Sequence, residues 1–106
     1  MAKYLFLGNY VGDGVAGLRR DGGTKRRDAV ERLAASVGGT VESLYYAFGD
    51  TDVYVIFDVP DHVAAASLSL AVNASGAVAG SMTVLLTAED MDAATKLSPE
   101  YHAPGT

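Results

Sequence analysis

Leu44-Tyr45-Tyr46-Ala47-Phe48-Gly49-Asp50-Thr51-Asp52-Val53-Tyr54-Val55-Ile56-Phe57-Asp58-Val59-Pro60-Asp61 is the stretch that decides the fold of this chain. Two runs rich in Tyr, Val, Ile and Phe flank a Gly-Asp pair, the composition of two strands around a tight reversal. The pattern predicts strands over 40–48 and 51–59, joined at Gly49-Asp50 by a two-residue type II′ turn. In that register Phe48 opposes Thr51, Tyr45 opposes Tyr54 and Leu44 opposes Val55. Pro60 ends the second strand, and Asp61 is a good N-cap for a helix behind it.

Each flank supplies a helix and a strand. On the N-terminal side Val30, Leu33, Ala34 and Val37 follow the 3.6-residue period of a helix that Thr24 can cap and Gly38-Gly39 stops. Before it, Val15–Arg20 reads as a short helical turn broken at Asp21-Gly22-Gly23, and Lys3–Tyr10 as a strand closed by Gly12 and Gly14. On the other side, His62–Ala74 is rich in Ala and Leu with little charge, which predicts a largely buried helix terminated by Gly76. Val78–Thr87 is the last strand. Thr87-Ala88-Glu89-Asp90 resembles a capping box opening a short helix to about Leu97, and Ser98–Thr106 reads as an extended tail.

The order is therefore β-α-β twice over. That repeat is the α+β, ferredoxin-like sandwich: an antiparallel four-stranded sheet with two helices on one face, followed here by a short C-terminal helix and tail. Residues 1–106 form one domain, with the tail at 98–106; 106 residues suffice for a core without disulfide or metal staples.

The strand pattern sorts into two apolar sets. One face is expected to collect Leu5, Leu7, Leu44, Tyr46, Phe48, Val53, Val55 and Phe57, the floor for the two helices. The other collects Tyr4, Phe6, Tyr10, Tyr45, Tyr54 and Ile56, with Ser43 and Asp58 among them. Two helices cannot cover both faces, and a slip of one residue would exchange the sets without making either polar. The second set is thus expected to meet a ligand or another copy of the chain, as a homo-oligomer packed through the sheet face. Interface packing with no ligand is the equal alternative.

Composition removes several kinds of chemistry. There is no cysteine, hence no thiol nucleophile, redox pair or iron-sulfur ligation, and any metal would rely on carboxylates and two histidines. No metal site and no cofactor are predicted. The first residues are too short an apolar run for a signal peptide, and no stretch suits a bilayer, so a cytoplasmic location is expected. A net charge of −5 disfavours nucleic acid as a partner. Six of the eight basic residues, Arg19, Arg20, Lys25, Arg26, Arg27 and Arg32, nevertheless share one segment. With Asp28 and Arg32 at i, i+4 and with Asp21 and Glu31 between them, the segment reads as a solvated helix face, an anion site being the alternative.

Individual motifs carry less. Gly12-Asp13-Gly14-Val15-Ala16-Gly17 spells a dinucleotide fingerprint after a strand, but the chain is too short for that fold and the helix behind it breaks at Gly22-Gly23. Asp50 and Asp52 at a hairpin tip are local hydrogen-bond acceptors before they are metal ligands. His62, beside Asp61, is a candidate general base and equally a surface histidine of a first helical turn. His102 lies in the tail without a partner. Asn73-Ala74-Ser75 is a glycosylation sequon by spelling alone.

Ser36-Val37-Gly38-Gly39, the run from Tyr45 to Val53, Pro60-Asp61 and Ala74-Ser75-Gly76-Ala77-Val78 together resemble the GYD domain family of small bacterial proteins. The resemblance runs from the first strand to Glu89, and Tyr101–Gly105 also looks like relatives. It implies a ferredoxin-like fold related to the dimeric α+β barrel proteins, and no particular reaction. Gly49 and Asp52 match the motif that names the family, whereas Thr51 stands where its tyrosine usually lies. Ala16 replaces a lysine common before Gly17-Leu18, so chemistry carried by either residue in relatives would be missing here.

Three functions follow as expectations. The first is an oligomer binding a small, partly apolar molecule at the sheet face or subunit interface through Tyr4, Phe6, Tyr10, Tyr45, Tyr54 and Ile56. The second is a cofactor-independent oxygenase or isomerase of the dimeric α+β barrel type, with His62, Tyr45 or Asp52 moving a proton. The third is a purely structural or regulatory oligomer.

Overall fold

The computed structural model describes all 106 residues. Its elements are β1 (Ala2–Tyr10), α1 (Gly14–Asp21), α2 (Gly23–Ala35), β2 (Thr40–Tyr46), β3 (Val53–Val59), α3 (His62–Ala74), β4 (Val78–Leu85) and α4 (Ala88–Thr95). The four strands form one antiparallel sheet in the order β2-β3-β1-β4. This is the ferredoxin-like arrangement. α2 lies over β2, and α3 over β4 and β3. No helix is long and apolar enough to cross a membrane.

The signals at the helix ends act largely as expected. The Asp61 carboxylate accepts the Ala64 N–H at 2.9 Å, and Thr87 and Asp90 form a reciprocal capping box. Gly38 and Gly76, with φ of +80° and +75°, take the left-handed conformation that turns the chain out of α2 and α3. Three details differ. Val15–Arg20 belongs to a full helix, α1, and α2 starts at Gly23 with Gly22 as its N-cap instead of Thr24. α3 is not largely buried: Ala65 and Leu68 are inside, while Val63 and Leu70 face outward.

The hairpin register is as expected at Leu44↔Val55 and Tyr45↔Tyr54, but the strands separate sooner. β2 ends at Tyr46, and the Ala47 N–H donates to the Asp52 carbonyl at 2.7 Å across a four-residue loop. Gly49 has no positive φ, which excludes the type II′ turn. Phe48 consequently points into solvent, not under the helices. β2 also carries an irregularity between Val41 and Ser43 that the pattern did not reveal.

The main correction concerns β1. Tyr4 pairs with Phe57 and Phe6 with Val55, so Tyr4 and Phe6 join Val53, Val55, Phe57 and Val59 in the core beneath the helices, together with Ala34, Ala65 and Leu68. Tyr10 follows on that side, and Leu5 and Leu7 take the opposite face with Ile56 and Tyr54. Glycines explain the choice. A Cβ on Gly8 would stand 2.6 Å from the Phe6 ring, and one on Gly80 would collide with that ring and stand 2.7 Å from the Leu7 carbonyl. The large ring of Phe6 occupies space that only two residues without side chains leave open.

The open face keeps an apolar centre of Leu5, Leu7 and Ile56, with Tyr54 and Tyr45 beside it, Tyr45 being 72% exposed. One end is ionic: Lys3 Nζ lies 2.8 Å from Asp58 and 3.0 Å from Glu42. No residue from Leu86 to Thr106 is buried. α4 and the tail stand away from the sheet, and the radius of gyration of 16.8 Å exceeds the ~13 Å of a compact chain of this length.

Candidate binding cleft

The gap between α2 and α3 over the C-terminal end of β1 holds a cleft in two parts. The inner part, about 80 Å³, lies against the sheet between Phe6, Tyr10, Tyr46 and Val53 below and Val30, Leu33 and Val72 above. Arg26 is the single wall residue there that is not hydrophobic. The outer part, about 500 Å³ and open to solvent, is bounded by α1, the start of α2 and the C-terminal end of α3, with Asp13, Arg20 and Asp21 at its rim. Tyr10, Arg26, Leu33, Val72 and Val78 line both parts.

The local sequence builds this geometry in small steps. A Cβ on Gly14 would collide with the Ala77 carbonyl, so the β1–α1 turn packs directly on the backbone before β4, where the Val11 N–H also donates to the Ala77 carbonyl at 2.9 Å. That close approach accounts for Gly14, and a φ of +55° for Gly12, without a nucleotide. The break at Gly22-Gly23 then brings the first turn of α2 over the sheet. A Cβ on Gly23 would lie 3.0 Å from the Tyr46 ring, and the Tyr46 hydroxyl donates to the Gly23 carbonyl at 2.9 Å. Arg26, one turn further on, thereby stands beside the Tyr10 and Tyr46 phenols.

Burial pushes the Tyr10 phenol above its ordinary range; the neighbouring Tyr46 adds to the rise and Arg26 opposes it. Burial also raises Tyr46, with Tyr10, Arg26 and Arg27 working in the other direction. Both hydroxyls are neutral at physiological pH and serve as hydrogen-bond donors rather than bases.

The residues singled out in the sequence are dispersed. Tyr10 lines the cleft, whereas Tyr4 and Phe6 are core residues, Phe6 reaching the inner wall. Tyr45, Tyr54 and Ile56 lie on the open face, on the far side of the sheet. His62 is exposed in the first turn of α3, ten residues from Val72 and so about 15 Å from the cleft along the helix. Asp52 is occupied structurally. Its carboxylate accepts the Tyr10 N–H at 3.0 Å, and its own N–H donates to the Gly8 carbonyl and to Asn9 Oδ1. It ties the β2–β3 loop to the end of β1 and fixes the backbone that carries Tyr10. His102 lies 3.7 Å from Glu100 in the exposed tail.

Asn73 Nδ2 donates to the Ser69 and Gly80 carbonyls while Oδ1 accepts the Gly80 N–H. The side chain thus satisfies backbone groups on the sheet edge at β4 and is engaged there, which gives the sequon a structural reason. Thr51 and Ala16 line neither part of the cleft.

Tyr46, which lies on the helix side of the sheet as expected, and Arg26 are the cleft residues whose part in a site sequence reasoning missed. Tyr46 reads as core floor and Arg26 as one of a solvated run. The available signal was the Gly22-Gly23 break, which restarts the helix just before Arg26.

Fold and cleft together define a ferredoxin-like α+β domain with a cavity beneath its helices, open at one end of the sheet. The chain belongs to the GYD domain family, whose sequence model matches residues 4–95. No curated protein and no solved structure matches it.

Proposed function

We propose that this protein binds a small, partly apolar molecule in the cleft between sheet and helices, and does so as an oligomer assembled through the open face of the sheet. The observation that carries the reading is the junction at Tyr10, Tyr46 and Arg26, where an apolar chamber meets a polar mouth. A cavity with apolar walls and a few convergent polar groups is the usual form of a ligand site. Oligomerisation is supported by the open face, where Leu5, Leu7 and Ile56 are only half-buried and Tyr45 and Tyr54 are exposed, and by the C-terminal arm, where Leu86, Met91 and Leu97 are at least half exposed.

Native mass spectrometry of protein purified gently from its own host tests both parts, because it reports stoichiometry and retained ligand together. A multimer carrying a small adduct is expected, and the adduct should be lost when Val72→Trp fills the cleft. A monomeric mass at low micromolar concentration sinks the oligomer; adduct retention by the filled variant sinks the cleft.

A cofactor-independent oxygenase or isomerase is the second reading, favoured by the two neutral phenols in one cavity. Tyr10 and Tyr46 would then supply protons, in place of His62 and Tyr45. Tyr10→Phe would abolish turnover while leaving the thermal midpoint and the oligomer intact, whereas Tyr46→Phe, which also gives up the bond to the Gly23 carbonyl, would lower both turnover and the midpoint.

A further inference from the structure

Arg26 is the odd member of its surroundings. Its side chain is half-buried, yet its guanidinium meets no carboxylate within ion-pair distance. Its neighbours on α2 are better provided: Lys25 pairs with Asp21 at 3.8 Å and Arg27 with Glu31 at 3.6 Å, both facing solvent. Of the acids at the mouth, Asp21 is thus already engaged. A guanidinium drawn toward an apolar chamber loses hydration, and a neutral phenol returns only part of that loss.

We infer that the cleft is built for a small carboxylate: the anion sits on Arg26 with the Tyr10 and Tyr46 hydroxyls beside it, and a short alkyl or single-ring body enters the chamber behind. This rests on the binding reading above and gives it a ligand class. Three features converge on it. Arg26 supplies a planar fork that a carboxylate can meet with two parallel bonds. Tyr10 stays protonated and adds a donor on the same side, while Tyr46, whose proton is committed to the Gly23 carbonyl, stands beside it as a neutral neighbour. The inner chamber, about 80 Å³, has otherwise hydrophobic walls and suits a compact apolar group, not a long chain or a sugar. Phosphate monoesters fit less well at the inner wall, where Arg26 is the single charged residue; Arg20 stands out at the rim, alongside Asp13 and Asp21.

The test compares acids with their neutral isosteres: phenylacetate with phenylacetamide, and hexanoate with hexanamide, by calorimetry and ligand-observed NMR at neutral pH. At least one acid is expected to bind wild type about tenfold more tightly than its amide, the worth of one charge-assisted hydrogen bond. Arg26→Gln should erase that preference by lowering acid affinity far more than amide affinity, with the thermal midpoint unchanged, and Arg27→Gln should keep it. Equal binding of acid and amide, or a preference that survives Arg26→Gln, overturns the carboxylate inference but leaves the cleft as a site. If none of the four compounds binds at millimolar concentration, both fall.

Discussion

The two faces of the sheet are alike in apolar content and opposite in treatment. The covered face interlocks: Phe57 and Val55 are 2% exposed, and Phe6 lies in the hollow left by Gly8 and Gly80. The open face presents Leu5, Leu7, Ile56, Tyr54 and Tyr45 without any element of the same chain above them, and carries the charged cluster of Lys3, Asp58 and Glu42 at one end. Hydrophobicity along a strand therefore does not say which side becomes core. What decides is where the strands allow helices to approach, and here that is the side with missing side chains.

The largest expected effect tests whether the covered face is a true core. Leu68 on α3 is 1% exposed, and Leu68→Ala should cost about 2–5 kcal/mol in urea unfolding. The same truncation on the open face, Leu7→Ala, should cost the isolated chain under about 1 kcal/mol and show chiefly as weaker self-association. Equal losses from the two variants in a dilute monomer would abolish the distinction. Next in size is Gly80→Ala. The added methyl meets the Phe6 ring and the Leu7 carbonyl, and one of these, a backbone atom, cannot swing aside. A loss of about 1–3 kcal/mol is expected, and pairing it with Phe6→Leu should recover part of it. No recovery would mean that the backbone contact, not the ring, sets the cost.

Much of this fold was legible because local signals agreed with the global arrangement: the β-α-β repeat, the Asp61 cap, the Thr87 capping box and the glycine stops all appear where the pattern placed them. The face of β1 was not legible for a specific reason. Tyr4, Leu5, Phe6 and Leu7 are all large and apolar, so alternation gives two equivalent answers. The correct one depends on Gly80, which becomes a neighbour of Phe6 only after β4 has docked. The site was harder still. Tyr10, Arg26 and Tyr46 come from three elements and meet through the Gly22-Gly23 break, and no spacing in the chain marks such a meeting. His62, Tyr45 and Asp52 stand out in the sequence by chemical type alone; the fold sets the first two apart from the cleft and employs the third as a backbone tie.

That tie joins the ends of both faces. Asp52→Ala leaves the Tyr10 N–H without its acceptor and frees the loop, and should cost about 1–3 kcal/mol. Asp52→Asn keeps one acceptor oxygen and should cost less. If Tyr10 is a cleft residue, Asp52→Ala should also weaken any cleft ligand more than its stability loss explains, seen as a lower affinity in samples verified to be folded.

The smallest effect belongs to the ionic end of the open face, and its sign can be worked out. The Lys3 ammonium, hydrogen-bonded to Asp58, holds that carboxyl below its usual range; Asp58 first and then Glu42 raise Lys3 above its own. A depressed carboxyl stabilises the fold above its unfolded value, near about pH 4, and loses that contribution as pH falls through the lower folded value. A raised lysine contributes below about pH 10.5 and loses its share as pH rises through the higher folded value. The stability difference between wild type and Asp58→Asn should thus be level from weakly acid to weakly alkaline pH and shrink outside that window on both sides. It should be modest, because Lys3 and Glu42 remain about one-third and one-half exposed. In a Lys3→Met background the alkaline limb should vanish and the acid limb should flatten. Persistence of both limbs without Lys3 would show that the cluster is a coincidence of surface charges, and that the open face has no organised polar rim with which to set the register of a second copy.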